Sequence, residues 1–228
     1  MSLTTIIRRA QAQARARRAA RFRACFRIDS DTRILDLGSE HGANIHRVLE
    51  GTAVDPANVY IADIDSDAVR RGSEQFGFTP VVISEAEPLP FEDGFFDIIY
   101  CSSVIEHVTL PKDRVWSPAV SGKAFRDESL RRQQLFANDI ARLGRGYFVQ
   151  TPNRWFPIES HSWLPFVGWL PRAILIPTLR LSNTIWIKKT LPDWHLLTSS
   201  QMRRLFPGAA IETETSFGLP KSIMAIKN

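Results

Sequence analysis

From Arg33 onward the sequence alternates short apolar runs with amphipathic segments of helical periodicity, and this alternation constrains the fold more than any other feature. The run Phe96–Cys101 lacks polar alternation, which is typical of a strand covered on both faces. We predict strands at Ile34–Leu37, Val59–Ala62, Val81–Ile83, Phe96–Cys101, Tyr147–Gln150, Ile211–Thr215 and Ser222–Ile226. We predict helices at Gly42–Leu49, Ser66–Phe76, Glu128–Leu143 and Ser199–Phe206. Repeated strand–helix units favour an α/β fold with a doubly wound, mostly parallel seven-stranded sheet.

The first 28 residues differ in composition from the rest of the chain. Residues 1–27 contain eight arginines and no acidic residue, whereas the other 21 basic residues are outnumbered by 24 acidic ones. Residues 4–26 favour a helix, and Phe22 and Phe26 are spaced to attach its end to the body of the protein. We predict a basic helical arm at residues 1–28 and one domain at residues 29–228. This arm is either a solvated helix or a contact for an anionic membrane or nucleic acid.

The sequence predicts neither secretion nor a membrane span. The arm lacks the continuous apolar stretch of a signal peptide, although its composition also suits a mitochondrial transit peptide. No apolar run reaches the roughly 18–20 residues that cross a bilayer. The two cysteines, Cys25 and Cys101, make no disulfide framework, and we expect no metal site. We therefore expect a cytoplasmic protein, with peripheral contact at the inner membrane surface as the alternative.

Residues 151–194 interrupt the alternation after the fifth predicted strand. They hold five of the six tryptophans and six of the fourteen prolines, and they are too apolar for a disordered linker. A plain strand–helix connection needs only a few residues, so we predict an aromatic-rich insertion that acts as a lid or a subunit interface. Its apolar character also favours a lipid-linked acceptor or peripheral membrane contact through residues 155–190.

A glycine-bearing turn follows the first predicted strand. Gly38 permits a sharp turn and close approach of a ligand, and Gly42 lets the next helix begin nearby. The amino end of that helix favours a ligand carboxylate. About 25 residues beyond Gly38, Asp63 ends the second predicted strand and is placed to accept hydrogen bonds from ribose hydroxyls. The alternative for Asp63 is a helix cap, a role that suits Asp65 or Ser66 better.

The most specific motif is the run SEAEPLPFEDGFFDII at residues 84–99. The strand that it enters ends in SSVIEHV at residues 102–108. With the turn and Asp63 in the same order, these segments resemble the class I S-adenosylmethionine-dependent methyltransferases, and in detail the type 11 group. The resemblance covers roughly residues 29–150. It implies a Rossmann-like fold, methyltransferase activity and S-adenosylmethionine as the cofactor.

The resemblance also implies roles for particular residues. The turn would surround the methionine part of the cofactor, Asp63 would hold the ribose, Glu85 and Ala86 would contact the adenine edge, and the strand end would lie near the methyl group. The complete set of implied cofactor-binding residues is Asp36, Gly38, Ser39, Glu40, Gly42, Asp63, Ile64, Glu85, Ala86, Ser102 and Ser103.

Two positions depart from the family pattern. The family usually has glycine where this chain has Glu40, and it has Gly-Asp where this chain has Ser84-Glu85. Glu40 narrows the approach to the turn and brings a carboxylate towards a zwitterionic ligand. Either it pairs with the ammonium group of the cofactor or it weakens cofactor binding.

Candidate catalytic and substrate-binding residues follow the fourth and fifth predicted strands. His107 is the candidate general base and Glu106 the second candidate, because a hydroxyl nucleophile needs a group that takes its proton. His195 is interpreted as structural. The predicted insertion begins with polar groups beyond the fifth strand, where α/β sheets bind ligands. We predict that substrate is contacted by Asn153, Arg154, Glu159 and His161.

The predicted activity is O- or C-methylation of a small-molecule, lipid-linked or saccharide-linked acceptor. The fourth strand is not followed by the Asp/Asn-Pro-Pro-Tyr run of enzymes that methylate base amines, so a nucleic-acid partner is disfavoured. The alternatives are a methyltransferase-fold binding or membrane-surface protein without turnover, and an RNA methyltransferase.

Overall fold

The computed structural model describes residues 3–84, 88–117 and 119–228. Its helices are α1 Leu3–Cys25, α2 Ala43–Val48, α3 Ser66–Phe76, α4 Gly122–Leu143, α5 Arg172–Ile185 and α6 Ser199–Leu205. Its strands are β1 Ile34–Leu37, β2 Val59–Asp63, β3 Thr79–Val82, β4 Phe96–Ser102, β5 Gly144–Pro152, β6 Ala210–Ser216 and β7 Leu219–Lys227. Short 3-10 helices lie at Pro56–Asn58, Ile105–His107 and Val167–Trp169.

The strands form a seven-stranded sheet in the order β3-β2-β1-β4-β5-β7-β6. β1 pairs in parallel with both β2 and β4, and β2 pairs in parallel with β3. β6 and β7 form an antiparallel hairpin with an irregularity between Glu214 and Thr215. The predicted α/β class, the mostly parallel sheet and the count of seven strands are confirmed.

The chain divides into two compact units. The first contains the residues up to Cys101 together with Arg142–Phe148 and Asn228, and the second contains Ser102–Ala141 and Val149–Lys227. The predicted boundaries at residues 28 and 29 and at residues 151–194 remain predictions. No helix among the described residues is long and apolar enough to cross a membrane.

The first unit has an aromatic core that includes the end of α1. Phe22 is fully buried, and its ring lies 5.2 Å from that of Tyr100 and 5.7 Å from that of Phe148, both edge-on. Phe22 also contacts Phe26, and the Arg23 side chain donates a hydrogen bond to the Val48 carbonyl. The predicted attachment of the basic helix through Phe22 is thus confirmed. The burial of this aromatic side chain holds the end of α1 against the first unit.

The second unit has its own apolar cluster, in which α5 packs on the segment that leads to α6. This cluster comprises Val167, Leu175, Leu179, Trp194 and Leu196. Arg172 is buried beside it and donates hydrogen bonds to the carbonyls of Val115 and Pro192. The aromatic-rich segment after β5 is therefore folded on a core of apolar side chains.

Most elements lie within three residues of their predicted bounds, and the two larger differences concern α4 and α5. α4 begins at Gly122, six residues before the predicted start at Glu128. α5 was not predicted, because its sequence contains Pro177, which is expected to end a helix. Leu175 lies two residues before Pro177 and Leu179 two residues after it, and both side chains are buried. Their packing therefore outweighs the tendency of proline to end the helix.

Candidate active site

The turn between β1 and α2 has the shape that its glycines predict. Gly38 and Gly42 have φ values of 77° and 74°, in the left-handed region that favours glycine. A Cβ on Gly42 would lie 3.1 Å from the Ile61 side chain, so a larger residue would crowd the turn. Gly72 of α3 lies close to the backbone of the turn, since a Cβ on Gly72 would be 2.4 Å from the His41 carbonyl oxygen. Two glycines thus let α2 and α3 pack tightly around this turn.

Backbone hydrogen bonds tie the turn to the end of β2. The amides of Gly38 and Ser39 donate to the Ala62 carbonyl, at 2.8 and 3.2 Å. The Glu40 amide donates to Asp63 Oδ2 at 2.8 Å, and the Asp65 amide donates to Asp63 Oδ1 at 3.1 Å. Asp63 therefore holds the turn in place, and each of its oxygens has room for a further donor.

Asp36 is the buried acid of this site. Its side chain is 3% exposed, and among the described residues Oδ2 has no hydrogen-bond partner. Burial, with the charge of Asp63, raises the pKa of Asp36 to about 8. A buried carboxyl oxygen without a donor is costly unless a cation or donor reaches it. The residues present therefore fit the ammonium group of a methionine moiety.

Glu40 is exposed and has a φ of 52°, so this non-glycine residue occupies a conformation that glycine adopts freely. This explains physically why a glycine is expected at this position. Ile64 is 47% exposed and lies next to Asp63, where the sequence predicts an adenine contact. Glu85 and Ala86, the other predicted adenine contacts, lie outside the described residues.

Ser102 and Ser103, at the carboxyl end of β4, are linked to β5. Both hydroxyls donate to Gln150 Oε1, at 2.8 and 3.2 Å, and the Ser103 amide donates to the Gln150 carbonyl. Ser103 has a left-handed φ of 61°, so the chain turns sharply where the strand ends. Gln150 fixes this end of the strand, and the sequence offers no motif that marks it.

Immediately after this turn lies a group of ionisable side chains, here called the Glu106 cluster: Glu106, His107, Glu159, His161 and Asp193. Glu106 is fully buried, and its Oε2 accepts a hydrogen bond from the Thr151 hydroxyl at 3.0 Å. Its Oε1 faces His161 Nε2 at 3.7 Å. The structure thus brings together residues predicted separately as catalytic and substrate-binding.

Glu159 anchors His161. Its Oε1 lies 2.5 Å from His161 Nδ1 and accepts from the His161 amide, while its Oε2 accepts from the amide and the hydroxyl of Ser162. Burial opposes ionisation, but the hydrogen bonds and charge of His161 outweigh it and lower the pKa of Glu159. Burial also disfavours charged His161, yet Glu106 and Glu159 raise its pKa. Glu159 therefore acts on the ring of His161 and on the loop around it.

His107 is the most accessible member of the Glu106 cluster. Its side chain is 35% exposed, and its Nδ1 lies 3.4 Å from Asp193 Oδ1. The rings of His107 and His161 meet edge to face, with centroids 4.6 Å apart. Asp193 was not predicted from the sequence, because it lies 86 positions from His107 in a segment without a motif.

Gln133 and His195 hold the Glu106 cluster in place. Gln133, on α4, is buried and donates to the carbonyls of Ile105 and His195, at 2.9 and 3.1 Å, and its Oε1 lies 3.0 Å from His195 Nδ1. The His195 amide donates to the Glu106 carbonyl at 2.7 Å. Burial and nearby arginines lower the pKa of His195 to about 4, so its ring is neutral near pH 7. These contacts support the structural interpretation of His195.

The other two predicted substrate residues, Asn153 and Arg154, form hydrogen bonds within the loop that follows β5. Asn153 is buried, and its Oδ1 accepts from the Trp155 amide at 3.0 Å. The Arg154 carbonyl accepts from the indole nitrogen of Trp169 at 2.8 Å. These contacts shape the loop that follows β5, and substrate binding by the two side chains remains a prediction.

Part of the chain matches a known family model. Residues 35–117 match the family model Methyltransf_11, a methyltransferase domain. A search of the curated proteins by sequence found no significant match.

Solved structures share the fold at low sequence identity. One is magnesium protoporphyrin IX methyltransferase from Synechocystis PCC 6803 with bound SAH, at 14% identity and a TM-score of 0.53, covering 100% of this chain and 89% of that chain. Another is the N-terminal domain of EvdMO1 in the presence of SAH and D-fucose, at 15% identity and a TM-score of 0.53, covering 93% and 81%. A third is a SAM-dependent methyltransferase from Aquifex aeolicus, at 11% identity and a TM-score of 0.50, covering 91% and 88%.

These findings agree with the resemblance carried by the motifs and support S-adenosylmethionine as the cofactor. Residues 35–117 thus match the model of a methyltransferase domain, and the chain as a whole shares its fold with solved S-adenosylmethionine-dependent methyltransferases.

Proposed function

We propose that this methyltransferase transfers the methyl group of S-adenosylmethionine to a hydroxyl group of a small-molecule or lipid-linked acceptor. The observation that carries the proposal is the Glu106 cluster, which follows the carboxyl end of β4 and contains two imidazoles. In parallel sheets, ligands bind beyond the carboxyl ends of the strands. A hydroxyl needs to lose its proton when it is methylated, and imidazole is the usual acceptor near neutral pH.

The proposed cofactor site is the turn after β1 with the end of β2. S-adenosylmethionine supplies, when bound, a methyl group on a positively charged sulfur. Asp36 offers a buried carboxyl oxygen to the ammonium group, and Asp63 offers oxygens to the ribose hydroxyls. Gly38 and Gly42 place no side chain at the two ends of the turn, where φ is positive.

The proposed acceptor site is the Glu106 cluster. With the cofactor bound, the acceptor oxygen would take the methyl group from its sulfur, and the Glu106 cluster would take the hydroxyl proton. His107 is the proposed contact for the hydroxyl because it is the most exposed imidazole of the cluster. Asp193 orients the His107 ring through Nδ1, which leaves the second ring nitrogen for the acceptor.

A lipid-linked acceptor is favoured by the surface of the segment after β5. Nine of the large exposed apolar side chains lie in it: Trp155, Ile158, Phe166, Trp169, Ile174, Leu181, Ile185, Ile187 and Leu191. Lys189 follows α5 and Arg180 lies within it, and both are exposed. Apolar side chains beside cations are typical of a segment that lies on an anionic bilayer. We propose that this segment contacts a membrane, at the cytoplasmic side.

Methyl transfer to fractionated cell extracts tests this function. The enzyme is incubated with S-adenosylmethionine carrying a labelled methyl group and with either the organic-soluble or the water-soluble fraction. We expect label in a product of the organic fraction, and a loss of about 100-fold or more with His107→Gln. His46→Gln is the control, because His46 is an exposed histidine of α2. Label only in the water-soluble fraction would remove the lipid-linked acceptor, and label in neither fraction would contradict the proposed turnover.

A further inference from the structure

The Glu106 cluster contains three metal-ligating groups that converge. Glu106, His107 and His161 each place one ligand atom within 4.8 Å of the others. Two imidazoles and one carboxylate are a ligand set that zinc and other divalent transition metals accept in proteins. The sequence gives no sign of this set, because His161 lies 54 positions after His107 and the spacing matches no metal-binding motif.

Each imidazole of the set has a carboxylate on its Nδ1. Glu159 lies 2.5 Å from Nδ1 of His161, and Asp193 lies 3.4 Å from Nδ1 of His107. Metal-binding histidines characteristically carry such a carboxylate, which fixes the ring orientation and makes the other nitrogen a better ligand. The side chains of Glu159 and Asp193 are almost buried, so they are held against the rings.

The environment of the Glu106 carboxylate also favours a bound cation. Glu106 is fully buried, and among the residues that the structure describes its Oε1 makes no hydrogen bond. His161 Nε2 lies 3.7 Å from that oxygen, close enough for an ion pair when the ring is protonated but too far for a hydrogen bond. A buried carboxylate oxygen left without a donor is costly. A cation between Glu106 and the two imidazoles would remove that cost.

We propose that Glu106, His107 and His161 bind a divalent transition-metal ion such as Zn²⁺. Ligand atoms around a tetrahedral zinc lie about 3.3 Å apart, given metal–ligand distances of about 2.0–2.1 Å. The separation of 3.7 Å between Glu106 Oε1 and His161 Nε2 is close to that value. His107 is the partly exposed ligand, so a small movement of its side chain completes the site. Three protein ligands leave one position open for a substrate oxygen.

This open position suggests a task for the ion, and that task rests on the proposed function. An acceptor hydroxyl bound to the ion would lose its proton more easily, because the positive charge stabilises the alkoxide. His107 would then serve as a ligand rather than as a free base. Binding of the metal itself does not depend on methyl transfer.

Cobalt binding tests the site without any activity assay. The full-length protein is treated with a chelator and titrated with Co²⁺, and bound metal is measured by equilibrium dialysis and by the visible absorption of the ion. We expect one Co²⁺ per chain, displaced by Zn²⁺. We expect affinity to fall at least tenfold in His107→Ala and in Glu106→Gln, and to be unchanged in His46→Ala, which alters an exposed histidine of α2.

The outcomes separate this inference from the proposed function. No Co²⁺ binding, or binding that is equal in the wild type and His107→Ala, would overturn the metal site. His107→Ala decides the result if Glu106→Gln does not fold, because the His107 side chain is 35% exposed whereas Glu106 is fully buried. Calorimetry with S-adenosylmethionine on the same protein is independent. Cofactor binding without Co²⁺ binding refutes the metal site alone, and the reverse refutes methyl transfer alone.

Discussion

Glu40 changes the sequence of the turn after β1 but leaves the backbone conformation of the turn unchanged. Its backbone keeps the left-handed φ of 52° that a glycine would adopt, and its amide still donates to Asp63. A side chain in this conformation costs roughly 1 kcal/mol or more relative to glycine. The turn therefore retains its geometry at the expense of local strain, and the added carboxylate remains exposed.

Substitution of Glu40 measures this strain. Glu40→Gly and Glu40→Ala both remove the carboxylate, but only glycine relieves the left-handed backbone. We expect Glu40→Gly to exceed Glu40→Ala in free energy of unfolding by about 1 kcal/mol, although the greater freedom of glycine in the unfolded chain offsets part of the gain. Urea denaturation of the two variants measures the difference. An alanine variant as stable as the glycine variant would show that residue 40 is not strained.

Asp36 makes stability depend on pH. Its pKa is raised from 3.8 to about 8 in the folded protein, because burial and Asp63 disfavour the ionised form. Between these values the folded state binds more protons than the unfolded state, so the contribution of Asp36 to stability is complete below pH 3.8 and is lost as the pH rises to about 8. Asp36→Asn has no such dependence.

Urea denaturation of the wild type and Asp36→Asn at pH 5.5, 7 and 8.5 therefore checks the burial of this acid. We expect the stability of the variant relative to the wild type to increase with pH, by at most about 1.4 kcal/mol per pH unit. A difference that stays constant over this range would show that Asp36 ionises normally.

At the scale of elements, Gln133 of α4 connects the 3-10 helix Ile105–His107 to the segment before α6. The Gln133 amide donates to the carbonyls of Ile105 and His195, and its Oε1 lies 3.0 Å from His195 Nδ1. The Glu106 cluster is thus fixed by a side chain that does not belong to it. Glutamine on a predicted helix gives no sequence signal for this role, because its partners are 28 and 62 positions away.

Removal of the Gln133 amide is expected to weaken this connection. Gln133→Ala leaves buried carbonyl groups without a donor, so we expect a loss of about 2–3 kcal/mol in free energy of unfolding. Gln134→Ala is the matched control, because the amide of Gln134 bonds to Asn138 at the surface and its loss is expected to change stability by less than about 0.5 kcal/mol. Chemical denaturation monitored by circular dichroism checks both values, and equal effects would contradict the role of Gln133.

The elements of the sheet were predictable from sequence because each depends on local pattern. β1, β4 and α3 follow from apolar runs and helical periodicity, and α3 has the predicted bounds Ser66–Phe76. α6 begins at Ser199, and its N-cap Thr198 forms a reciprocal cap with Gln201. α5 was missed, because Pro177 argues against a helix and only burial of its apolar face argues for one.

At the scale of the whole molecule, the sequence predicted the fold and the cofactor class but not the assembly of the Glu106 cluster. Asp36 and Gly38 lie at the end of β1 and Asp63 at the end of β2, and the two strands pair in parallel, so the proximity of these residues follows from the sheet. Glu106 and His161 meet only because the segment after β5 folds back. Such a contact depends on the packing of that segment, which no local pattern describes.

The exposed apolar side chains predict a measurable membrane affinity. Ile185 and Leu181 of α5 are 77% and 66% exposed, so aspartate at both positions removes apolar surface and leaves the core intact. In flotation with liposomes that contain anionic lipid, we expect the wild type to float and the Leu181→Asp/Ile185→Asp variant to remain in the lower fractions. Leu135→Asp on α4 is the control, because Leu135 is also exposed, at 53%. Equal behaviour of all three proteins would contradict membrane contact by this segment.

Deletion of the basic helix is a poor test of the same idea. Phe22 of α1 is fully buried against Tyr100 and Phe148, so a chain without residues 1–27 loses part of its aromatic core. Loss of a buried phenylalanine typically costs about 3–5 kcal/mol. Point substitutions on the exposed surface therefore give the clearer result.

Calorimetric titration with S-adenosylmethionine tests the central claim most directly. We predict binding of one cofactor per chain, weakened at least tenfold in Asp63→Ala and unchanged in Asp55→Ala, where the carboxylate likewise accepts a backbone amide in an exposed loop. Circular dichroism melting confirms that each variant is folded. Absence of binding at millimolar cofactor, or equal binding by wild type and Asp63→Ala, would contradict the account.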